Sequence, residues 1–179
     1  MQHYYTQNPE CKEQDISFSV EVFGKEFQFI TNSGVFSKHG LDFGSRLLIE
    51  TFIRNHEKKT ARILDFGCGY GPVGIIIRSF FPDLHITLAD INRRALEAAA
   101  KNMIQNKVPA ADCFVTETDG FSNISDKYDC ILTNPPIRAG KQTVFMIYEE
   151  AYRHLNPKGK LYVVIQKKQG APSTMEKLN

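Results

Sequence analysis

The sequence predicts an α/β fold, in which a mainly parallel, doubly wound sheet follows an N-terminal β-hairpin. Two observations lead to this fold class. The stretch 16–31 alternates apolar and polar residues on either side of Gly24, which is typical of two antiparallel strands joined by a tight turn. From residue 62 onward, short apolar runs alternate with segments of helical periodicity. This alternation is typical of parallel strands joined by right-handed helical crossovers.

The order of the elements follows from apolar spacing and turn residues. Over 42–56 the apolar residues recur mostly at helical spacing, and Asp42 is a suitable N-cap for this helix. The core is then expected to contain a strand at 62–66, a glycine turn at 67–71, a helix at 72–81, a strand at 85–91, a helix at 92–106, strands at 112–118 and 128–133, a helix at 142–155, a turn at 156–159 and a strand at 160–166. The chain is thus predicted to be one domain, made of a strand pair at 1–33, an entry segment and helix at 34–56 and a cofactor-binding core at 60–179.

The last predicted strand, 160–166, is a nearly continuous apolar run with no later strand to pair beside it, only the first turns of a helix at 173–179. An unpaired strand edge is a template for association with another chain. The nearby lysines at 158, 160, 167 and 168 would oppose that contact by charge. We therefore expect a monomer, or weak and salt-dependent self-association through this edge.

Composition indicates a soluble globular protein. The 179 residues are 42% hydrophobic and 23% charged, and no apolar stretch approaches the ~20 residues that a membrane helix needs. The first residues lack the charged and apolar regions of a signal peptide. The four cysteines, at positions 11, 68, 113 and 130, are widely spaced, without the close pairs of a zinc site. We expect a cytoplasmic protein with reduced cysteines, no bound metal and no membrane partner.

The glycine turn at 67–71 predicts a cofactor site. Residues 69–74 satisfy the GxGxxG spacing, which alone would also suit a dinucleotide enzyme. Asp65, however, lies just before the turn, where its carboxylate would repel a pyrophosphate but could accept a hydrogen bond from an ammonium group. Pro72 also removes one backbone donor that could hold a phosphate. Both details favour S-adenosylmethionine, which carries an amino-acid group and no phosphate.

Further carboxylates follow the next two predicted strands. Asp90 comes 21 residues after Gly69, where a carboxylate can accept from both ribose hydroxyls. Asp119 could accept from the adenine amino group, with Phe121 packing nearby. Each aspartate has a simpler interpretation as a turn or helix cap, but all three lie at the carboxyl ends of strands, where open α/β sheets bind ligands. The predicted cofactor-binding residues are Asp65, Gly67, Cys68, Gly69, Gly71, Asp90, Ile91, Asp119, Gly120, Phe121 and Asn134.

The string Asn134-Pro135-Pro136-Ile137 follows the strand at 128–133 and therefore lies at the same edge. The two prolines fix the backbone, and the Asn134 side chain and the Pro135 carbonyl can both accept hydrogen bonds from a target amino group. These bonds would turn the nitrogen lone pair out of conjugation and toward the methyl donor, while a flat target group stacks on Ile137. We predict that these four residues are catalytic. A plain strand-ending turn is the alternative.

Charge is unevenly distributed, although the net charge is only +2. The stretch 138–168 carries seven Lys or Arg against two Glu, whereas 1–30 carries two Lys against five acidic residues. A basic rim beside the Asn-Pro-Pro string would attract a phosphate backbone, although ordinary solvated lysines remain an alternative. The predicted substrate-binding residues are Phe36, Lys38, Arg138, Lys141, Lys167 and Lys168.

The motifs at 64–71 and 134–137 resemble those of class I methyltransferases that use S-adenosylmethionine to modify planar nitrogen. More narrowly, nearly the whole chain resembles the ribosomal RNA small-subunit guanine-N2 methyltransferase C family, the small-domain methyltransferases. The segments 34–37, 41–45, 134–141 and 167–171 carry this closer resemblance.

The resemblance implies a Rossmann-like class I methyltransferase fold, S-adenosylmethionine as the cofactor, and ribosomal RNA or the small ribosomal subunit as the partner. It implies that the glycine turn, Asp90 and Asp119 hold the cofactor and that Asn134 and Pro135 hold the target amine. Sheets of this family usually close with an antiparallel strand pair, which this sequence lacks, so we expect a core truncated at its C-terminal side. Two other functions are compatible with the motifs: methylation of a protein glutamine, as in a release factor, and non-catalytic binding of cofactor or RNA.

Overall fold

The computed structural model describes residues 15–32, 40–135, 140–166 and 170–178. The strands are β1 (Asp15–Val22), β2 (Lys25–Asn32), β3 (Arg62–Phe66), β4 (His85–Asp90), β5 (Cys113–Glu117), β6 (Tyr128–Thr133) and β7 (Leu155–Val163). The helices are α1 (Phe43–Asn55), α2 (Pro72–Phe80), α3 (Arg93–Gln105), α4 (Lys141–His154) and α5 (Ala171–Leu178). Apart from β7 and the start of α5, the predicted core elements agree with these bounds to within one residue at each end.

The central sheet has the strand order β5-β4-β3-β6-β7, and all of its pairings are parallel. From β3 the chain builds outward to β4 and β5, then returns to the other side of β3 for β6 and β7. The direction of winding therefore reverses between β3 and β6, and such a switch point opens a crevice at the carboxyl ends of the strands. The predicted parallel α/β fold is confirmed.

The N-terminal hairpin pairs β1 with β2 over eight residue pairs and turns at Phe23 and Gly24, whose φ angles are 46° and 76°. Two positive φ angles are typical of the tight turns that match the twist of a hairpin. The hairpin packs on α3, where the buried side chain of Asn102 accepts from the backbone N–H of Ile30 at 2.8 Å. The same side chain donates to the carbonyls of Ile30 and Tyr70, both at 2.9 Å. The hairpin is thereby tied to the glycine turn.

The end of the sheet differs from the prediction. Pairing of β7 with β6 runs from Leu155 opposite Tyr128 directly to Lys160 opposite Cys130, so the predicted turn at 156–159 is a bulge inside the strand. Lys158 adopts φ 65° there, as a turn requires, but pairing resumes after it and the strand is not interrupted. β7 is an edge strand among the described residues, and association through it remains a prediction.

Within the described ranges, no helix combines the length and apolar character needed to cross a bilayer. The same ranges contain no group of three or more His, Cys, Asp or Glu side chains placed to hold a metal ion.

Candidate active site

The glycine turn connects β3 to α2 at the switch point of the sheet. Gly67, Gly69 and Gly71 have φ angles of 74°, 58° and 85°, a backbone conformation that residues other than glycine adopt at a cost in free energy. The backbone N–H groups of Gly67 and Cys68 donate to the carbonyl of Ala89 on β4, at 2.8 and 3.0 Å. These bonds hold the turn against the end of the neighbouring strand.

Asp90 ends β4 beside this turn. One carboxylate oxygen accepts from the backbone N–H of Gly69 at 2.8 Å and the other from that of Asn92 at 2.8 Å. Burial raises the pKa of Asp90, and backbone donors, including Ile91, oppose that rise. Each carboxylate oxygen has a second lone pair, so Asp90 can hold the turn and still accept hydrogen bonds from ligand hydroxyls.

Asp65 lies beneath the turn, with only 2% of its surface exposed. Its Oδ2 accepts from the backbone N–H of Gly74 in the first turn of α2, at 2.9 Å. Burial raises the pKa of Asp65 to about 7, and the negative charge of Asp90 adds to the rise, while the Gly74 donor opposes it. A Cβ atom at Gly74 would lie 2.3 Å from a methyl of Leu88, so the close approach of helix and sheet requires glycine there. The carboxylate therefore organises the start of α2; its predicted contact with a cofactor ammonium stays a prediction.

The predicted cofactor-binding residues in the loop after β5 differ in how exposed they are. Asp119 is exposed, whereas Phe121 is 8% exposed and belongs to the core. The Phe121 ring stacks on Phe66 at the end of β3, with centroids 4.3 Å apart and planes at 12°. Gly120 has φ 59° and is exposed.

These features fit a nucleoside-bearing cofactor. Among the described residues, no atom lies within 4 Å of the position that a Cβ would take at Gly67 or at Gly120. The Asp90 carboxylate lies at the same edge of the sheet, with acceptor capacity for hydroxyl groups.

Asn134, directly after β6, is held at the N-terminus of α1. Its Nδ2 donates to Oδ1 of Asp42 at 3.1 Å and to the hydroxyl of Ser45 at 3.3 Å. Oδ1 of Asp42 also accepts from the backbone N–H of Ser45 at 3.0 Å, which confirms the predicted N-cap. Asn134 is partly buried and the next residue, Pro135, is buried. Sequence reasoning found both ends of the Asp42–Asn134 contact but not the contact itself.

Most of the predicted substrate-binding and motif residues lie outside the described ranges: Phe36, Lys38, Pro136, Ile137, Arg138, Lys167 and Lys168. Lys141 can be placed; it is exposed at the start of α4, at the carboxyl edge of the sheet. Arg153 and Lys158 lie toward the opposite edge, because Arg153 is at the far end of α4 and Lys158 is in the bulge beside the start of β6. The excess charge of the stretch 138–168 is therefore shared between the two edges.

The family described as "Methyltransferase small domain" matches residues 26–178, most of the chain. The chain belongs to this methyltransferase small domain family. The predicted resemblance to a methyltransferase family is thus confirmed.

Among its relatives in the methyltransferase small domain family, an uncharacterized protein of Bacillus subtilis, YbxB, is 45% identical over 179 residues, covering 99% of this chain and 87% of that protein. Ribosomal RNA small subunit methyltransferase C of Haemophilus ducreyi is 33% identical over 82% of this chain and 46% of its own length. The protein of the same name from Psychromonas ingrahamii is 36% identical over 83% of this chain and 42% of its own length. This chain therefore spans less than half the length of these two named methyltransferases.

Solved structures show the same fold. The T. thermophilus 16S rRNA N2 methyltransferase, determined in complex with AdoMet and guanosine, superposes with a TM-score of 0.77 at 22% identity, over 89% of this chain and 44% of that one. A ribosomal protein L11 methylase from Lactobacillus delbrueckii superposes with a TM-score of 0.67 at 19% identity, over 78% of this chain and 68% of that one.

Proposed function

We propose that this methyltransferase transfers a methyl group to the N2 amino group of guanine in ribosomal RNA. The observation that carries the proposal is the Asn134 amide at the switch point, whose Nδ2 is engaged by Asp42 and Ser45. An amide held by its nitrogen presents its oxygen as an acceptor for an amino group. The relatives named ribosomal RNA small subunit methyltransferase C support RNA as the substrate.

S-adenosylmethionine is the methyl donor, as the sequence predicted, and it supplies a methyl group that is already activated by its sulfonium. Membership of the methyltransferase small domain family and the AdoMet-bound T. thermophilus neighbour support this cofactor. Asp90 would accept from its ribose hydroxyls, and the turn from Gly67 to Gly71 would pass beside its amino-acid group. Asp119 and Phe121 would border the adenine.

The residues of the chain act mainly by positioning. Asn134 Oδ1 and the Pro135 carbonyl would each accept a hydrogen bond from one N–H of the target amino group. This arrangement leaves the nitrogen lone pair free to attack the methyl carbon. A nitrogen–carbon bond forms as the carbon–sulfur bond breaks, and the nitrogen then loses one proton to solvent. The base would have to be unpaired or flipped out of a helix to reach these groups.

The expected partner is ribosomal RNA, either free or within the small subunit, and a cytoplasmic location follows from such a substrate. The basic residues Lys38, Arg138, Lys141, Lys167 and Lys168 would contact its phosphates. The same pair of acceptors suits the side-chain amide of glutamine, so a protein substrate such as a release factor is the competing possibility. Binding of cofactor or RNA without turnover is the other.

The test is methyl transfer from labelled S-adenosylmethionine to three substrates: small subunits and naked rRNA from a strain lacking the gene, and purified release factor. Nuclease digestion and mass spectrometry of the nucleosides would identify the product. We expect N2-methylguanosine from one of the RNA substrates and no product with Asn134→Ala, whose affinity for S-adenosylmethionine should stay within about tenfold of the wild-type value.

Asn55→Ala is the matched control, because Asn55 is an exposed asparagine at the other end of α1 and should leave turnover unchanged. Label on release factor alone would overturn the RNA proposal. Binding of S-adenosylmethionine without product on any of the three substrates would favour the non-catalytic function.

A further inference from the structure

We propose that Asp42 is a positioning residue for the reaction: it fixes which end of the Asn134 amide faces the substrate. This inference rests on the proposed function, since it assigns Asn134 to the recognition of an amino group. The two residues are 92 positions apart in the sequence, yet Nδ2 of Asn134 lies 3.1 Å from Oδ1 of Asp42.

The chemistry of the two side chains determines the orientation. An ionised carboxylate can only accept hydrogen bonds, whereas an amide has one end that donates and one that accepts. The amide therefore has to present its nitrogen to Asp42, because the reverse orientation would place oxygen against oxygen. The hydroxyl of Ser45, 3.3 Å from the same nitrogen, can accept the second N–H. Both donors of the amide are thus engaged by α1.

The consequence for the substrate concerns Oδ1 of Asn134. No residue in the described part of the chain donates a hydrogen bond to this oxygen, so it is available to an incoming amino group. A flipped amide would instead present N–H donors to the substrate amine, which is itself a donor. Asp42 thereby selects the productive orientation of a group whose two ends have nearly the same shape.

The position of Asp42 is itself fixed. Its Oδ1 accepts from the backbone N–H of Ser45 at 3.0 Å and so caps α1, a helix of 13 residues that packs mainly on α2 and also contacts β7. Its buried residues include Leu48, Ile49 and Phe52. Gly44 leaves room for the contact, because a Cβ there would lie 3.0 Å from Nδ2 of Asn134. The N-terminus of α1 therefore fixes the position of the Asp42 carboxylate.

Asp42 could instead serve the fold alone, as a helix cap, and two variants separate these roles. Asp42→Ser keeps a good N-cap but removes the carboxylate from Asn134. Asp42→Asn keeps shape and capping but lets either end of the Asn134 amide face it. For Asp42→Ser we expect kcat for RNA methylation to fall at least tenfold, and for Asp42→Asn, which leaves about half of the amides in the productive orientation, we expect a fall of about twofold. In both variants the affinity for S-adenosylmethionine should stay within about threefold of the wild-type value, and the thermal midpoint should be nearly unchanged.

A reciprocal exchange gives a sharper test. In Asn134→Asp two carboxylates face each other, and we expect turnover to be lost. Adding Asp42→Asn restores a donor opposite an acceptor and leaves one oxygen at position 134 for the substrate amine. The double variant should therefore recover at least tenfold in kcat over Asn134→Asp alone, a coupling that two independent losses would not produce.

A readout without substrate examines the contact directly. The side-chain NH2 resonances of Asn134, assigned by their loss in Asn134→Ala, should exchange with water more slowly in the wild-type protein than in Asp42→Ser. Unchanged exchange would overturn the contact, and wild-type kcat in Asp42→Ser, or no recovery in the double variant, would overturn the positioning role. Full activity of Asn134→Ala would instead show that Asn134 does not recognise the amino group, whereas a wild-type protein that methylates no RNA substrate would remove the proposed function, even where the exchange data support the contact.

Discussion

The carboxylate of Asp90 lies 2.8 Å from the backbone nitrogen of Gly69, which precedes it by 21 residues. The residue expected to hold the ribose of the cofactor therefore also holds the glycine turn beside it. The same side chain accepts from the N–H of Asn92 at the start of α3. The glycine turn, the start of α3 and the expected ribose contact therefore all depend on one carboxylate. Binding of the cofactor and order in the turn are thus coupled.

We accordingly expect Asp90→Ala to weaken the binding of S-adenosylmethionine far more than the binding of RNA. Loss of two ribose hydrogen bonds to a charged acceptor should cost about 2–4 kcal/mol, and loss of the hydrogen bonds that Asp90 accepts from Gly69 and Asn92 should also lower the thermal midpoint. Calorimetric titration and thermal unfolding measure the two effects. Asp83→Ala is a suitable control, because Asp83 is exposed and precedes β4 at the opposite edge of the sheet. An affinity within about threefold of the wild-type value would show that Asp90 does not hold the cofactor.

A second prediction concerns Gly44. Alanine at this position would bring a Cβ to 3.0 Å from Nδ2 and 3.2 Å from Oδ1 of Asn134, closer than ordinary packing distances. Alanine favours a helix over glycine by up to ~1 kcal/mol, and this gain should offset the cost of the close contacts. Gly44→Ala should therefore leave the stability of the protein little changed. We expect turnover to fall by about tenfold, because the amide must shift by a few tenths of an ångström. Thr51→Ala, an exposed change in the same helix, should retain full activity, and a fully active Gly44→Ala would show that the amide position is not critical.

The buried carboxyl of Asp65 predicts a dependence of stability on pH. Its pKa is raised to about 7 in the folded protein, against ~3.9 for an unfolded chain, so the folded state binds more protons between these values. Its contribution to the free energy of unfolding is complete below the lower value and is lost as pH rises through the higher one. Asp65→Asn stays neutral and can still accept from Gly74. The free energy of unfolding of the variant, measured with urea, should therefore rise by roughly 3 kcal/mol relative to that of the wild-type protein between about pH 5 and pH 8. If the free energies of unfolding of the variant and the wild-type protein differed by a constant amount across that range, the Asp65 carboxyl would be charged throughout it.

The buried cysteines should be unreactive in the folded protein. Burial raises the pKa of Cys113 to about 12, and it also raises the pKa values of the buried thiols of Cys68 and Cys130. Because the thiolate is the reactive form, these groups should not react with a thiol reagent at about pH 8. The measurement needs Cys11→Ser, since Cys11 lies outside the described residues. We expect no reaction of this variant when folded and three thiols after denaturation; fast labelling before unfolding would contradict the burial.

Local patterns predicted most of the elements because they depend on neighbouring residues. Apolar spacing gave the helix at 72–81 and the strand at 128–133 to within one residue. The same patterns missed the start of the last strand, because proline and glycine at 156–159 indicated a turn that would precede it. The structure accommodates that turn as a bulge, because strand pairing with β6 begins before it and resumes after it.

Contacts between distant residues had no such signal. A buried asparagine within a helix, as at Asn102, belongs to no periodic pattern, and its role in joining the hairpin to the glycine turn depends on the packing of three elements. The hydrogen bond from Gly74 to Asp65 likewise depends on how closely α2 approaches the sheet. In both cases the deciding partner is brought near only by folding.

The sequence by itself determined the alternation of strands and helices, the glycine turn, and the acidic and amide residues that end successive strands. Parallel strands place such residues at one edge, so the location of the site followed from local pattern alone. Only the tertiary structure decided that β6 lies beside β3 and that the Asn134 amide meets Asp42. The physical reason is that strand order and the orientation of an amide depend on atoms far apart along the chain, whose hydrogen bonds exist only once the core has packed.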